Sequence, residues 1–455
     1  MTTVPFLIII NACNRSSDKI VSDNNNQRFY AQIANEYVVQ FSAVYRTEMT
    51  SLDEVAKLAD WQKQNMERYQ VAETVAYLFG PATNREIGGS KRDQLIQINW
   101  SGAYVGTYGQ VELPYTYSGS WILHQNYKSN FQLPIPYNES VVYSTDWKLC
   151  TDSAPEHQTQ SFYWYFWDPT RSGCDHIVGV HYQLITLKIS KQTVPTQATY
   201  PQYDDLLKSN GINRNLQMTM AFGYVEDPSE FQPFTDTDFG IREFQKSVKK
   251  TRASLKKYKP TETAILQGEY LNAPTPDLQI GVRFQGMKDG VQFTINVVAT
   301  AGIDQMEIFA KSFAHDHDGV FGWFGHSRVG SGFDANNFGQ MLKNNPSYYS
   351  ISDQYQLIYW GGCNSYSYYS LPFFKFKAAK DPQNDPNGTK KLDILGNGLP
   401  SLFAFNAFNA EVTVNTFMNW EARTSYQEIV DTLENNATSY GTTVLVNILG
   451  DEDNQ

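Results

Sequence analysis

Two apolar runs end in residues that can do chemistry. "GVFGWFG" (Gly319–Gly325) is followed by His326, and "YQLIYWGG" (Tyr355–Gly362) by Cys363. A thiol is mostly protonated at neutral pH, and a nearby imidazole can take its proton and later protonate a leaving amine. Each of the two residues follows a glycine, which permits a sharp exit and the close approach of another backbone. Backbone N–H groups at Gly325, Ser327 and Cys363 would then be available for an oxyanion. Arg328, Asp334, Asn364 and Ser365 lie near enough to shape a substrate pocket, and each could equally be a cap or turn residue.

The other three cysteines have separate explanations. Cys13 ends "VPFLIIINAC", a short apolar run followed by the polar "NRSSDKIVSDNNNQ". This resembles a bacterial lipoprotein signal, with Cys13 the lipidated residue and residues 1–26 signal and tether. Cys150 and Cys174 flank a loop whose length suits a disulfide of an oxidising compartment, worth about 3 kcal/mol in the chain-entropy model. Cys363 is left as the odd cysteine, and reactivity is a reason for it to be unpaired.

A rival constellation is "AHDHDG", which gathers His315, Asp316, His317 and Asp318 with His326 a few residues on. A divalent-metal hydrolase using His315, His317 and Asp318 is the alternative chemistry. The spacing fits neither HExxH nor an EF-hand loop, and a helix C-terminus carrying histidines accounts for it equally well.

These residues need elements to position them. The 455 residues exceed one ordinary core, so two domains are expected. The net charge of -11 argues against a nucleic-acid partner, which needs a basic footprint. Residues 27–79 read as helical, with Ser51 and Glu54 forming a capping box. Residues 93–200 read as short strands, including Ser161–Pro169 and His176–Ser190, an assignment that puts His176 and His181 on opposite faces. "KQTVPTQATYPQYDDLLKSNGINRN" (Lys191–Asn215) reads as a linker. Thus a helical then β-rich domain, 27–205, precedes a second domain, 215–455.

In the second domain strands and helices alternate. "LQMTMAFGYVE" is a strand and "DTDFGIREFQKSVKKTRASLKKY" a helix; a Lys-Asp-Gly turn makes a hairpin of "LQIGVRFQGMKDGVQFTINVVAT". Then come the helix "IDQMEIFAKSFAHDHD", the strand before His326, the helix "FDANNFGQMLKNN" and the strand before Cys363. Another strand in "KKLDILGNGLPSLF", one long helix over "NAEVTVNTFMNWEARTSYQEIVDTLENN" and a final strand in "TTVLVNILG" complete the pattern. The alternation predicts an α/β fold with a mostly parallel sheet and flanking helices, whose carboxyl edge would hold both His326 and Cys363.

A hydrophobic strand ending in His, then a helix, then a hydrophobic strand ending in small-small-Cys resembles the caspase-like cysteine peptidases. The resemblance covers residues 215–450. It implies a caspase/hemoglobinase-like fold, Cys363 as nucleophile, His326 as base and acid, a peptide or protein substrate, and no cofactor. "GHSRVG" departs from it in carrying Ser327 where the family has Gly, and the His326–Cys363 spacing is shorter than that of caspases. With the signal, the expectation is an exported peptidase anchored to a membrane by lipid. A non-catalytic surface lipoprotein with a peptidase-like fold is the third reading.

Overall fold

The computed structural model describes residues 31–91, 95–127, 129–191, 199–225, 230–301, 304–327 and 334–450. Cys13, the tether and Arg328 lie outside them. Among the described residues no helix is long and apolar enough to cross a membrane.

The fold is mixed α/β, built on two sheets. The first holds β1 (Ala34–Arg46), β2 (Gly88–Ser90), β3 (Leu95–Ile98), β4 (Tyr104–Val105), β5 (Val111–His124), β6 (Phe131–Pro136) and β7 (Tyr182–Lys191). Its order is β2-β5-β1-β7-β6, with β3 and β4 also on β5, and every pairing is antiparallel. The expected helix over 27–79 is therefore corrected at its start. Tyr37, Val39, Phe41 and Ala43 are buried at every second position, the mark of a half-buried strand. Helix begins only at Leu52, where the Glu54 carboxylate accepts the Ser51 N–H at 3.1 Å as the capping box requires.

Two further expectations change. Gln160–Phe166 is a helix, not part of a strand. A short aromatic run fits a buried helix as well as a buried strand, and period alone does not separate them. His176 lies outside β7, which begins at Tyr182. The His176 and His181 rings consequently approach to 5.2 Å rather than facing apart. Cys150 and Cys174 are joined, with their Cα atoms 4.5 Å apart.

The second sheet holds β8 (Asn215–Gly223), β9 (Thr261–Leu266), β10 (Gln279–Lys288), β11 (Val291–Thr300), β12 (Val320–Phe324), β13 (Gln356–Trp360), β14 (Leu392–Asn397) and β15 (Val446–Leu449). Its order is β15-β14-β13-β12-β8-β11-β10-β9. The five strands from β14 to β11 run parallel; β15, β10 and β9 are antiparallel at the edges. The β10–β11 hairpin turns at Asp289 and Gly290, both with positive φ, as a tight primed turn requires.

Every residue of β12 and β13 is buried, as expected of strands covered on both faces. On one face Phe321 and Trp360 pack with Phe309 of the helix Asp304–Ala314, and Phe338 of the helix Ala335–Asn344 and Phe373 join the same cluster. On the other, Phe222 meets Phe324 and Phe244 of the helix Phe239–Leu255, and Tyr359 accepts Asn409 Nδ2 at 2.9 Å. Burying a large aromatic contributes on the order of 2–3 kcal/mol, so this double layer fixes the strands whose ends carry His326 and Cys363. The last helical stretch is not continuous as expected. Asn406–Met418 and Tyr426–Ser439 are separate helices, divided near Arg423 (φ 50°) and restarted by a capping box of Ser425 and Glu428.

The two sheets share packing. Ala34 and Ile122 of the first lie within the hydrophobic core of the second. Tyr366 donates to Glu36 at 2.5 Å, and Ala31 N–H donates to the Val446 carbonyl at 2.9 Å.

Candidate active site

β12 and β13 are parallel neighbours, so their carboxyl ends open on one rim of the sheet. Beyond Trp323 and Trp360 the two chains stay together: Gly361 N–H donates to the Trp323 carbonyl at 2.8 Å. A Cβ on Gly362 would stand 2.6 Å from Ser327 Oγ and 2.8 Å from the Gly325 carbonyl. Only glycine admits that approach. Gly362 thus seats the turn before Cys363 directly against the turn that carries His326.

His326 is half-buried, and its Nε2 lies 2.8 Å from the Val225 carbonyl. A carbonyl only accepts, so Nε2 carries the proton; in the neutral ring Nδ1 is then the basic nitrogen. Phe403 stands edge-on to the ring at 5.1 Å. Val225 is itself held, since its N–H donates to the Asp238 carboxylate at 3.1 Å. Asp238 also caps the helix Phe239–Leu255 through the Ile241 N–H at 3.2 Å. One carboxylate therefore ties the helix start, the end of β8 and the carbonyl that sets the imidazole tautomer.

Cys363 is the free cysteine among the described residues. Its Sγ donates to the Ser401 carbonyl at 3.5 Å and accepts the Ser401 N–H at 3.4 Å. Burial pushes the thiol above its ordinary value, against the Ser401 N–H and its own N–H, which favour the thiolate. The sulfur makes no hydrogen bond to His326. The structure brings the two residues to adjacent turns of the same rim.

The surroundings of Cys363 are polar and uncharged. Ser327 Oγ, Asn364 Oδ1, Asn397 Oδ1 and Ser401 Oγ are buried without a hydrogen-bond partner among the described residues. Orphaned buried oxygens are uncommon and each needs a reason. The first sheet's module adds Tyr165, on the helix Gln160–Phe166. Its buried hydroxyl lies beside Thr83 and Asn364 without completing a hydrogen bond of normal geometry. Burial, then the neighbouring Cys363, hold this phenol well above its ordinary value.

Of the remaining pocket candidates, Asn364 is buried with φ 46° and begins the turn Ser365–Tyr368. Ser365 is used structurally: it donates to the Trp360 carbonyl and accepts the Asn397 N–H, both at 2.7 Å. Asp334 caps the helix Ala335–Asn344, accepting the Asn337 N–H at 3.3 Å. Val225, Asp238, Ser401, Phe403 and Tyr165 escaped the sequence reading. Asp238 alone left a local trace, an acidic residue just before a helix; the others arrive through long-range packing.

His315–Asp318 precedes β12, whereas His326 follows it, so the two lie at opposite rims and the expected proximity is corrected. His315 pairs with Asp316 at 2.6 Å and stacks on Tyr348. Asp318 is buried and accepts Thr219 and Ser312 hydroxyls at 2.5 and 2.7 Å. Among the described residues the one trio of ligand atoms close enough for a metal is Cys150, Cys174 and His176, and its sulfurs are bonded to each other. Comparison with family models, curated proteins and solved structures finds no match to the chain.

Proposed function

We propose that the chain is a cysteine peptidase of the caspase-like kind, with Cys363 as nucleophile and His326 as proton carrier. The observation that carries the reading is the seat of Gly362 on Gly325 and Ser327, which sets a free thiol and an oriented imidazole on adjacent turns. The strand–His–helix–strand–Cys order within a parallel sheet supports it as well.

In this reading the thiol proton passes to Nδ1 of His326 as Sγ bonds to a peptide carbonyl carbon. N–H groups at Gly325, Ser327 and Cys363 receive the oxyanion. The C–N bond breaks as the imidazolium protonates the leaving amine, and water then cleaves the thioester to acid and thiol. The anchored location is part of the proposal: export, lipid on Cys13, and the Cys150–Cys174 bridge formed outside the cytoplasm.

The test is turnover of a mixed peptide library by wild type, Cys363→Ala and His326→Ala. Wild type should cleave, and each variant should lose on the order of 10³-fold or more while keeping its melting transition. Cleavage that survives in Cys363→Ala overturns the reading. The buried thiol and Ser327 favour the second reading, a binding scaffold with a peptidase-like fold. Wild type inert on every peptide would favour it.

A further inference from the structure

A cleft of about 550 Å³ opens in the first sheet's module, between the end of β1, the helical stretch from Leu52 onward and the segment after β6. None of its lining residues touches His326 or Cys363, so what it binds is independent of the peptidase reading. Its walls carry Tyr45, Trp61, Met49 and Met66; Glu48, Glu73 and Glu139 stand around them. Met66 and Gln70 come from a π-helical turn, Met66–Val71, a geometry found often where helices serve binding.

The three carboxylates are exposed, and none is in an ion pair among the described residues, although other glutamates are so compensated. Glu139 is raised by burial and by Glu73, and Tyr45 is pushed up to about 12 by burial and by all three. Their oxygens do not converge within 4.8 Å as a chelating set does. The chemistry is negative charge spread over an aromatic and thioether surface. A compact metal ion suits that arrangement poorly; an organic cation with apolar carbons suits it well.

We propose that this cleft binds an organic cation, a primary ammonium or guanidinium carried on an apolar stem. A lysyl or arginyl side chain and a free polyamine share that chemistry. The apolar stem would lie on Trp61 and Tyr45, with the cationic head among Glu48, Glu73 and Glu139.

The experiment titrates the full-length protein with N-acetyl-arginine amide, N-acetyl-lysine amide, spermidine, the neutral N-acetyl-glutamine amide and calcium chloride, at low and high salt. Calorimetry and tryptophan fluorescence read the binding, because Trp61 is 64% exposed and lines the cleft. The expectation is saturable binding of the cations and none of the neutral amide. Binding should weaken at least tenfold in Glu73→Gln/Glu139→Gln, and also in Trp61→Ala, with melting unchanged. It should weaken with salt as screened charge requires. Spermidine tenfold tighter than the amino-acid amides assigns a polyamine; comparable affinities assign a side chain. No saturable cation binding, or binding that the double variant leaves intact, overturns the site. Calcium matching the organic cations overturns the ligand class. Loss of peptide turnover in Cys363→Ala has no bearing on any of these outcomes.

Discussion

At Cys363 burial opposes hydrogen bonding, and burial prevails, so the resting sulfur is a thiol. Alkylation by iodoacetamide should then be slow at pH 7.5 and still rise beyond pH 9. The resting contact is with Ser401, not the imidazole, so His326→Ala should leave that profile in place while abolishing turnover. A profile that saturates below pH 7 in wild type and moves upward in His326→Ala would show a preformed ion pair instead. Lys377 gives a second titration. Its buried ammonium donates to the Ser352 and Gln354 carbonyls and to Gln356 Oε1 at 2.8–2.9 Å, with no carboxylate in hydrogen-bond contact among the described residues. Burial holds its pKa down, from 10.5 to about 7. Between these values the unfolded chain keeps a proton that the folded chain releases, so this group's stability contribution grows as pH rises above 7. Denaturant melts should show wild type gaining over Lys377→Met by about 1–2 kcal/mol from pH 7 to pH 9. A gap independent of pH would mean that the ammonium stays charged.

Among the elements, the helix Phe239–Leu255 has a double duty. Its N-cap Asp238 also fixes Val225, whose carbonyl orients His326. Asp238→Ala should cost about 1 kcal/mol as a lost cap. Turnover should fall further than this destabilisation explains, with Asp238→Asn restoring part of both. The strands around this helix were legible because β12 is an apolar run, β13 is apolar after Gln356, and β8 and β11 are rich in apolar residues, as burial on both faces favours. The turn at Asp289–Gly290 was legible from its Lys-Asp-Gly sequence, which suits a tight hairpin turn. β1 was not recognised, although Tyr37, Val39, Phe41 and Ala43 alternate cleanly; a neighbouring helix pattern drew the assignment past it. Gln160–Phe166 was misread because the six aromatic residues Phe162–Trp167 in a row have no period to choose by. The break before Tyr426 was written in Ser425 and Glu428, a capping pair inside an apolar pattern. At the site, sequence singled out His326, Cys363 and the glycine between their turns. It did not name Val225, Ser401 or Tyr165, which meet those groups only once distant segments pack.

At the scale of the whole molecule, the first module sits on the rim that carries Cys363. A Cβ on Gly89 would stand 2.5 Å from the Gly398 carbonyl and 3.4 Å from Ser367 Oγ. Both partners belong to the other module. Gly89→Ala should therefore pry the modules apart locally, lowering stability by about 1–3 kcal/mol as overpacking does. It should also speed labelling of Cys363 by loosening the cover that Tyr165 helps to form. Unchanged labelling with lowered stability would show that the cover does not govern access to the sulfur.

The bond from Ala31 to Val446, and the Gln32 side chain on Asp431 at a separation of 399 residues, have a consequence for synthesis. The segment leading into β1 finds these partners only after residues 431–446 have been made. Until then Ala34 and Ile122 have no core to enter. A nascent chain stalled before residue 431 should thus remain protease-sensitive around Ala31 and Gln32, however well the first sheet's hairpins have formed.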